Sequence, residues 1–187
     1  QLDITKEDSI KAFVEFLTTK QIKIDVLFNN AGILIKKSEK SNVEVAKEVL
    51  NTNYRSVINL TENLIPHINT NGHIINVSSK LGTFMGISSE LKDRFNLDQI
   101  TMDELNELEK EFYNACETNQ EEKIGWINDK GWPISYCISK VFLNAYSRSL
   151  AWKLLDKKIR LNVFTPGWCR TEMGGEEATN DLYFGAE

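Results

Sequence analysis

Asp25-Val26-Leu27-Phe28-Asn29-Asn30-Ala31-Gly32 is a short apolar run that ends abruptly in two amides, a small residue and a glycine. A run this brief fits a buried strand of a parallel sheet, although a single run of this length also suits a helix segment. The glycine behind it permits a tight turn and close approach of a ligand. Two further runs repeat the pattern: His73 to Val77 precedes Ser78-Ser79, and Arg160 to Phe164 precedes Pro166-Gly167-Trp168. Helical patterns lie between them. Thr5 and Asp8 have the spacing of a capping box, and Ile10, Phe13, Val14 and Leu17 follow on one face. Asn42 to Ile65 reads as one long helix stopped near Pro66. Tyr136 to about Leu155 reads as another, with Val141, Ala145 and Leu150 as buried positions. Strand alternating with helix predicts an α/β fold, a doubly wound parallel sheet with right-handed crossovers.

Composition narrows the function classes. The 187 residues suit one domain, residues 1–187, with 41% hydrophobic and 26% charged residues. Net charge is −5, from 22 basic and 27 acidic residues, which draws neither nucleic acid nor an anionic membrane. No apolar run approaches the roughly 20 residues needed to span a bilayer, and no secretory signal pattern is present. Cys116, Cys137 and Cys169 are widely separated and odd in number, as in a reducing compartment, so a cytoplasmic protein is expected. His67 and His73 lack metal-ligand spacing, and no metal site is expected.

Residues 86–132, Gly86 to Trp132, break the rhythm with a polar, acid-rich stretch carrying its own helix signal. Thr101 and Glu104 form a capping box, followed by Leu105, Leu108 and Phe112 at helical spacing. The plain reading is a surface insertion whose apolar stripe packs on the domain. The functional reading is an active-site wall or a block on subunit association.

The chemistry concentrates in Tyr136-Cys137-Ile138-Ser139-Lys140. Four residues apart on a helix, Tyr136 and Lys140 share a face one turn apart. A phenol exchanges protons poorly near neutrality unless its anion is stabilised, and an ammonium one turn away does that. By itself such a pair is common helix surface. Here three loops follow three strands at their carboxyl ends, where ligands bind in open α/β sheets, and all can converge on one crevice with Tyr136 and Lys140. Cys137 reads as a small hydrophobe rather than a reactive thiol.

The ordered set Asn29-Asn30-Ala31-Gly32, Asn53, Ser79, Tyr136-x-x-x-Lys140 and Pro166-Gly167 resembles the short-chain dehydrogenase/reductase family, with a Rossmann-like fold. More narrowly it is similar to the NADPH-dependent carbonyl reductases. Gln1-Leu2-Asp3-Ile4, Asn51-Thr52-Asn53, Asn76-Val77-Ser78-Ser79, Gly131-Trp132-Pro133 and Pro166 through Met173 carry that likeness, as does the long gap between Ser79 and Tyr136. The resemblance implies that Tyr136 gives a proton to a carbonyl oxygen of a ketone, aldehyde or quinone held by Ser79. It implies that Lys140 lowers the pKa of Tyr136 and holds the nicotinamide ribose, while Asn53 binds a relay water. Asp3, Ile4, Asn30, Ala31, Gly32, Pro166, Gly167, Cys169, Arg170 and Thr171 would contact NADPH, and Ser79, Leu81, Trp132 and Trp168 the substrate. It also implies a monomer, with residues 86–132 covering the helices through which relatives associate.

Plainer readings stand beside these: Asn53 satisfying buried backbone groups within its helix, Ser79 a turn residue, the tryptophans packing. The family's Gly-rich phosphate loop is absent from the sequence, so two βα units, roughly 60 residues, are expected upstream. The final strand and substrate loop are expected beyond Glu187, and Ser56 stands where the family usually has Gly. An NAD-linked alcohol dehydrogenase of the same fold and a non-catalytic binding or scaffold protein are the rivals.

Overall fold

The computed structural model describes residues 1–83, 87–97, 99–126 and 131–186. Three parallel strands, β1 (Ile24–Asn29), β2 (Ile68–Val77) and β3 (Arg160–Phe164), form a Rossmann-like sheet in the order β1-β2-β3. The three expected strands are present, and β2 starts earlier than its apolar run. Its register jumps from Ile24↔Ile68 to Val26↔His73, because the polar stretch Asn69 to Gly72 bulges out of the ladder. From His73 onward the pairing is regular, and Val26, His73 and Arg160 lie in one row.

The helices pack on one face of this sheet. Helix α1 (Glu7–Thr19) buries Ile10 and Leu17 against Leu60 and Leu64. The capping box expected of Thr5 and Asp8 does not form. Thr5 instead turns back on Asp3, its hydroxyl donating to Oδ1 at 2.7 Å and its N–H to the same oxygen at 2.9 Å. The helix begins one residue after Lys6, which supplies no side-chain cap. A short local turn outcompeted the cap.

The long helix expected over Asn42 to Ile65 is interrupted. Helix α2 (Asn42–Leu50), capped reciprocally by Ser41 and Glu44, runs into a π turn at Asn51–Arg55, then α3 (Ser56–Leu64) and a 3₁₀ turn at Ile65–His67. The π turn admits one extra residue per turn, and such turns gather at functional sites. Its two buried residues are Asn53 and Tyr54.

Between β2 and the last long helix come α4 (Ser89–Phe95), α5 (Met102–Thr118) and α6 (Glu121–Ile124). Gly86, the expected start of the insertion, lies outside the described residues. The Thr101–Glu104 capping box is present, and Leu105, Leu108 and Phe112 are fully buried. They join the central core with Tyr54, Phe95, Trp126 and Phe142, so the apolar stripe packs on the rest of the fold as the plain reading held. Helix α7 (Ile134–Lys153) is buried over most of its circumference and packs beside β3. The row Leu27, Ile74, Leu161 faces these helices, whereas Val26 and Phe28 on the opposite face are 55% and 52% exposed. A last short helix, α8 (Leu182–Ala186), lies near the loop after β3.

Candidate functional site

All three strands point their carboxyl ends at one cavity of about 970 Å³. Its floor and walls come from the loops after β1 (Asn30, Ala31, Gly32, Leu34), after β2 (Ser78, Ser79, Lys80, Leu81) and after β3 (Thr165 to Cys169). Tyr136 and Lys140 enter from the first turns of α7, and Phe184 from α8. The convergence expected from the sequence is present.

Beneath the cavity a buried polar chain fixes these elements to one another. The Asn29 amide donates to Thr61 of α3 at 3.0 Å and to Asn76 of β2 at 2.8 Å. Asn76 in turn donates to Ser147 of α7 at 2.8 Å. A buried amide is costly without partners, so each link specifies the position of the next. Sequence reasoning gave Asn29 and Asn76 no role. The signal was there: an Asn closing one apolar strand and another one residue before the end of the next, where a buried polar group needs a reason.

Tyr136 and Lys140 share a helix face, and the Lys140 ammonium sits 5.7 Å from the centre of the Tyr136 ring. Its Nζ donates to the Val77 carbonyl at 2.9 Å. Burial pulls the Lys140 pKa down to about 8. Burial also raises the Tyr136 pKa, opposed by a hydrogen bond with the Ser79 hydroxyl. The resemblance implied a Tyr136 lowered by Lys140; here its pKa is raised by desolvation, and the opposing influence comes from Ser79. Ser79 also caps the 3₁₀ turn Lys80–Gly82, accepting from the Leu81 N–H at 3.1 Å. It is at once a turn residue and the partner of Tyr136.

Gly82 brings that turn onto α7. A Cβ added there would lie 2.6 Å from the Lys140 Cβ and 2.8 Å from its carbonyl carbon. Across the cavity, a Cβ on Gly32 would lie 3.2 Å from the Asn53 Oδ1 and 3.7 Å from the Lys140 Nζ. Gly32, Asn53 and Lys140 are thus close neighbours. Asn53 itself does not line the cavity. Its amide is engaged with both backbone groups of Ile33 and with Ser139, which donates in turn to the Tyr136 carbonyl at 2.7 Å. The plain reading of Asn53, satisfying backbone groups within its own helix, does not describe these contacts, because the backbone groups it holds belong to Ile33 in the loop after β1.

The loop after β3 closes on itself. Trp168 and Cys169 pair with Asn180, and the Trp168 indole donates to Gly174 at 3.0 Å. Gly167 has φ +83, a left-handed conformation suited to glycine, and a Cβ there would lie 2.4 Å from the Asn180 amide nitrogen. Trp168 meets Trp132 edge to face with ring centres 5.3 Å apart. Of the residues expected from sequence, Ser79, Leu81, Trp132, Tyr136, Lys140, Asn30, Ala31, Gly32, Pro166, Gly167, Trp168, Cys169 and Thr171 line the cavity. Asp3, Ile4, Asn53 and Arg170 do not; Arg170 donates to the Ala178 carbonyl at 3.1 Å. The structure adds Ser78, Lys80, Met173 and Phe184 among others. Met173 closes the stretch from Pro166 that carried the family likeness, yet it had no site role from sequence; Phe184 comes from a segment without a clear strand or helix period, which hid it.

Comparison with known proteins gives a consistent result. A protein-family model described as short chain dehydrogenase matches residues 1–90. Carbonyl reductase (NADPH) 1 of Mus musculus is 36% identical over 195 residues, covering 100% of this chain and 68% of the mouse protein. The Homo sapiens protein of that name is 35% identical with the same coverage. Salutaridine reductase from Papaver somniferum superposes with a TM-score of 0.86 at 28% identity, covering 100% of this chain and 74% of that one.

Proposed function

The chain belongs to the short-chain dehydrogenase/reductase family and is an NAD(P)-dependent oxidoreductase, and we propose that it is an NADPH-dependent carbonyl reductase acting on ketones, aldehydes or quinones. The observation that carries this reading is the meeting of Ser79, Tyr136 and Lys140 in one cavity at the carboxyl ends of a parallel sheet.

The residues present fit a nicotinamide nucleotide. Lys140 uses one of its three N–H donors on Val77, leaving two for ribose hydroxyls. The Ser78 hydroxyl is buried beside the cavity without a partner among the described residues. Gly32 leaves room for close approach to Lys140. Among the described residues the cavity lining carries Lys80 and Lys140 and no carboxylate, a balance that favours a phosphate-bearing ligand. NADPH, rather than NADH, is the proposed form on the strength of the relatives' names.

When bound, the nucleotide supplies a hydride. Tyr136 donates a proton to the carbonyl oxygen from a phenol kept protonated by burial. Ser79 directs its hydroxyl to the same oxygen and favours the charge that develops there. Lys140 holds the ribose and, with a pKa of about 8, passes a proton toward Tyr136. Asp3, Ile4 and Arg170 act outside the cavity, Asn53 from behind it. Trp132 and Trp168 form an apolar wall suited to substrates with flat or hydrophobic bodies.

The same reading extends to setting. No described helix is long and apolar enough to cross a membrane, and the three cysteines are free thiols. The cytoplasm is the proposed location. Helix α5 lies across α2 and packs on α7, so it covers these helices and the protein acts as a monomer. The test is consumption of NADPH and of NADH with an aromatic ketone, an aldehyde and a quinone. Faster turnover with NADPH is expected. Equal or greater turnover with NADH favours an NAD-linked dehydrogenase, and no binding of either nucleotide a scaffold.

A further inference from the structure

We propose that Arg55 and Glu109 are positioning residues for this site, and that the insertion helix α5 acts through them on Asn53. The observations form a short physical chain. Glu109 sits on α5 and is only 6% exposed. Its two carboxylate oxygens are both taken. Oε1 accepts from the Tyr113 hydroxyl at 2.7 Å, and Oε2 accepts from Arg55 Nε at 2.8 Å and from Arg55 Nη2. Arg55 Nη2 also donates to Asn106 Oδ1 at 2.6 Å, and its guanidinium lies 5.0 Å from the centre of the Tyr54 ring.

Arg55 is the last residue of the π turn that holds Asn53. A π turn is a local departure from the helix ladder and stands only when its surroundings over-determine it. A hydrogen-bonded ion pair, its carboxylate buried and its guanidinium half-buried, anchored on a separate helix supplies that determination. Tyr54, between Asn53 and Arg55, is fully buried against Phe142 of α7. The turn is therefore gripped on one side by α5 and on the other by α7. What it presents to the site is the Asn53 amide, which holds Ile33 behind the Asn30-Ala31-Gly32 loop and Ser139 beside Lys140. The insertion thus does more than cover a surface: it fixes the turn that sets the spacing between that loop and the Tyr136–Lys140 helix.

The ion pair Arg94–Glu111 provides the control, since Glu111 is on the same helix but 43% exposed, and its partner Arg94 belongs to α4 and not to the π turn. The experiment is hydrogen exchange at the Ile33 amide in the holoenzyme, beside steady-state kinetics. Glu109→Gln and Arg55→Met are expected to speed Ile33 exchange about tenfold, with Glu111→Gln unchanged and Arg55→Lys restoring most of the protection. In kinetics, which rest on the reductase reading, kcat should fall while KM for the carbonyl compound holds, as for lost positioning. Faster exchange confined to α5, with Ile33 as in the wild type, would overturn the proposal and leave the pair as a fastener of the insertion. A wild-type protein without NADPH turnover would overturn the reductase reading, and the exchange comparison would still decide this one.

Discussion

Asn53 holds Ile33 by both of its backbone groups, its Oδ1 accepting from the Ile33 N–H at 2.7 Å and its Nδ2 donating to the Ile33 carbonyl at 2.9 Å. A side-chain amide here takes the place of a strand neighbour for a loop that has none. The loop carrying Asn30, Ala31 and Gly32 is tied in this way to a helix rather than to the sheet, and Ser139 extends the tie to α7.

Removing that amide leaves the two Ile33 groups without their partner. Asn53→Ala is expected to cost about 1–3 kcal/mol for each group so orphaned, less whatever water recovers. Urea unfolding measures the loss, and nucleotide titration should show weaker binding in step. An unchanged midpoint would mean that the loop is held by other contacts.

Gly82 is expected to resist any side chain. Its would-be Cβ meets Lys140 backbone atoms at 2.8 and 2.9 Å, and backbone cannot swing aside as a side chain can. Gly82→Ala should destabilise by about 1–3 kcal/mol through overpacking. It should also lower kcat, because the turn that moves is the one capped by Ser79. Loss of stability with kcat intact would separate the packing from the placement of Ser79.

Lys140 gives stability a pH dependence whose sign follows from its shift. Burial lowers its pKa from 10.5 unfolded to about 8 folded. Below about 8 both states are protonated, and the fold bears the full cost of a buried ammonium, about 3 kcal/mol at 1.36 kcal/mol per pH unit. As pH rises from about 8 to 10.5 the folded form sheds its proton first and the cost is relieved. The nucleotide-free protein should gain stability over that interval relative to Lys140→Met, which lacks the titrating group. Parallel curves for the two proteins, measured by denaturant unfolding, would refute the assignment.

What the sequence made legible divides along physical lines. The strands from Asp25, His73 and Arg160 were readable as short runs rich in β-branched and aromatic residues bounded by polar turns, although one face of the sheet, with Val26 and Phe28, is exposed rather than buried. The pair Tyr136 and Lys140 was readable because helix period fixes a spacing of four. The π turn at Asn51–Arg55 was not, since one inserted residue leaves the apolar pattern of the long helix nearly intact. The false capping box at Thr5 came from a competing local bond to Asp3, two residues away, invisible to a rule that looks only forward. Arg55 and Glu109 were hidden because their contact joins elements far apart in the chain, and nothing in either neighbourhood announces the other.

Trp168 should matter for binding more than for chemistry. Its ring meets Trp132 edge to face, and the two line the cavity without a polar contact to Tyr136 or Lys140 among the described residues. Trp168→Ala is expected to raise KM for an aromatic ketone about tenfold, equivalent to about 1.4 kcal/mol of lost contact, with kcat little changed. A small aliphatic aldehyde should be affected less. Equal losses for both would point to a general collapse of the loop after β3, which the Trp168 indole also braces through Gly174.

Tyr136→Phe isolates the proton donor. The substitution removes one oxygen and leaves the ring, its place in α7 and its contact with the Lys140 ammonium. Nucleotide affinity should therefore stay within a few-fold of the wild type, because Lys140, Gly32 and the Ser78 hydroxyl are untouched. Turnover should fall by about 10²–10⁴-fold, the contribution of a positioned general acid. The Ser79 hydroxyl loses its partner and cannot replace the phenol, since its own proton is far less acidic than a phenol's. A Tyr136→Phe enzyme that kept wild-type turnover with normal nucleotide binding would move the proton donor elsewhere in the cavity. Lys140, with a pKa of about 8, would be the group to examine there.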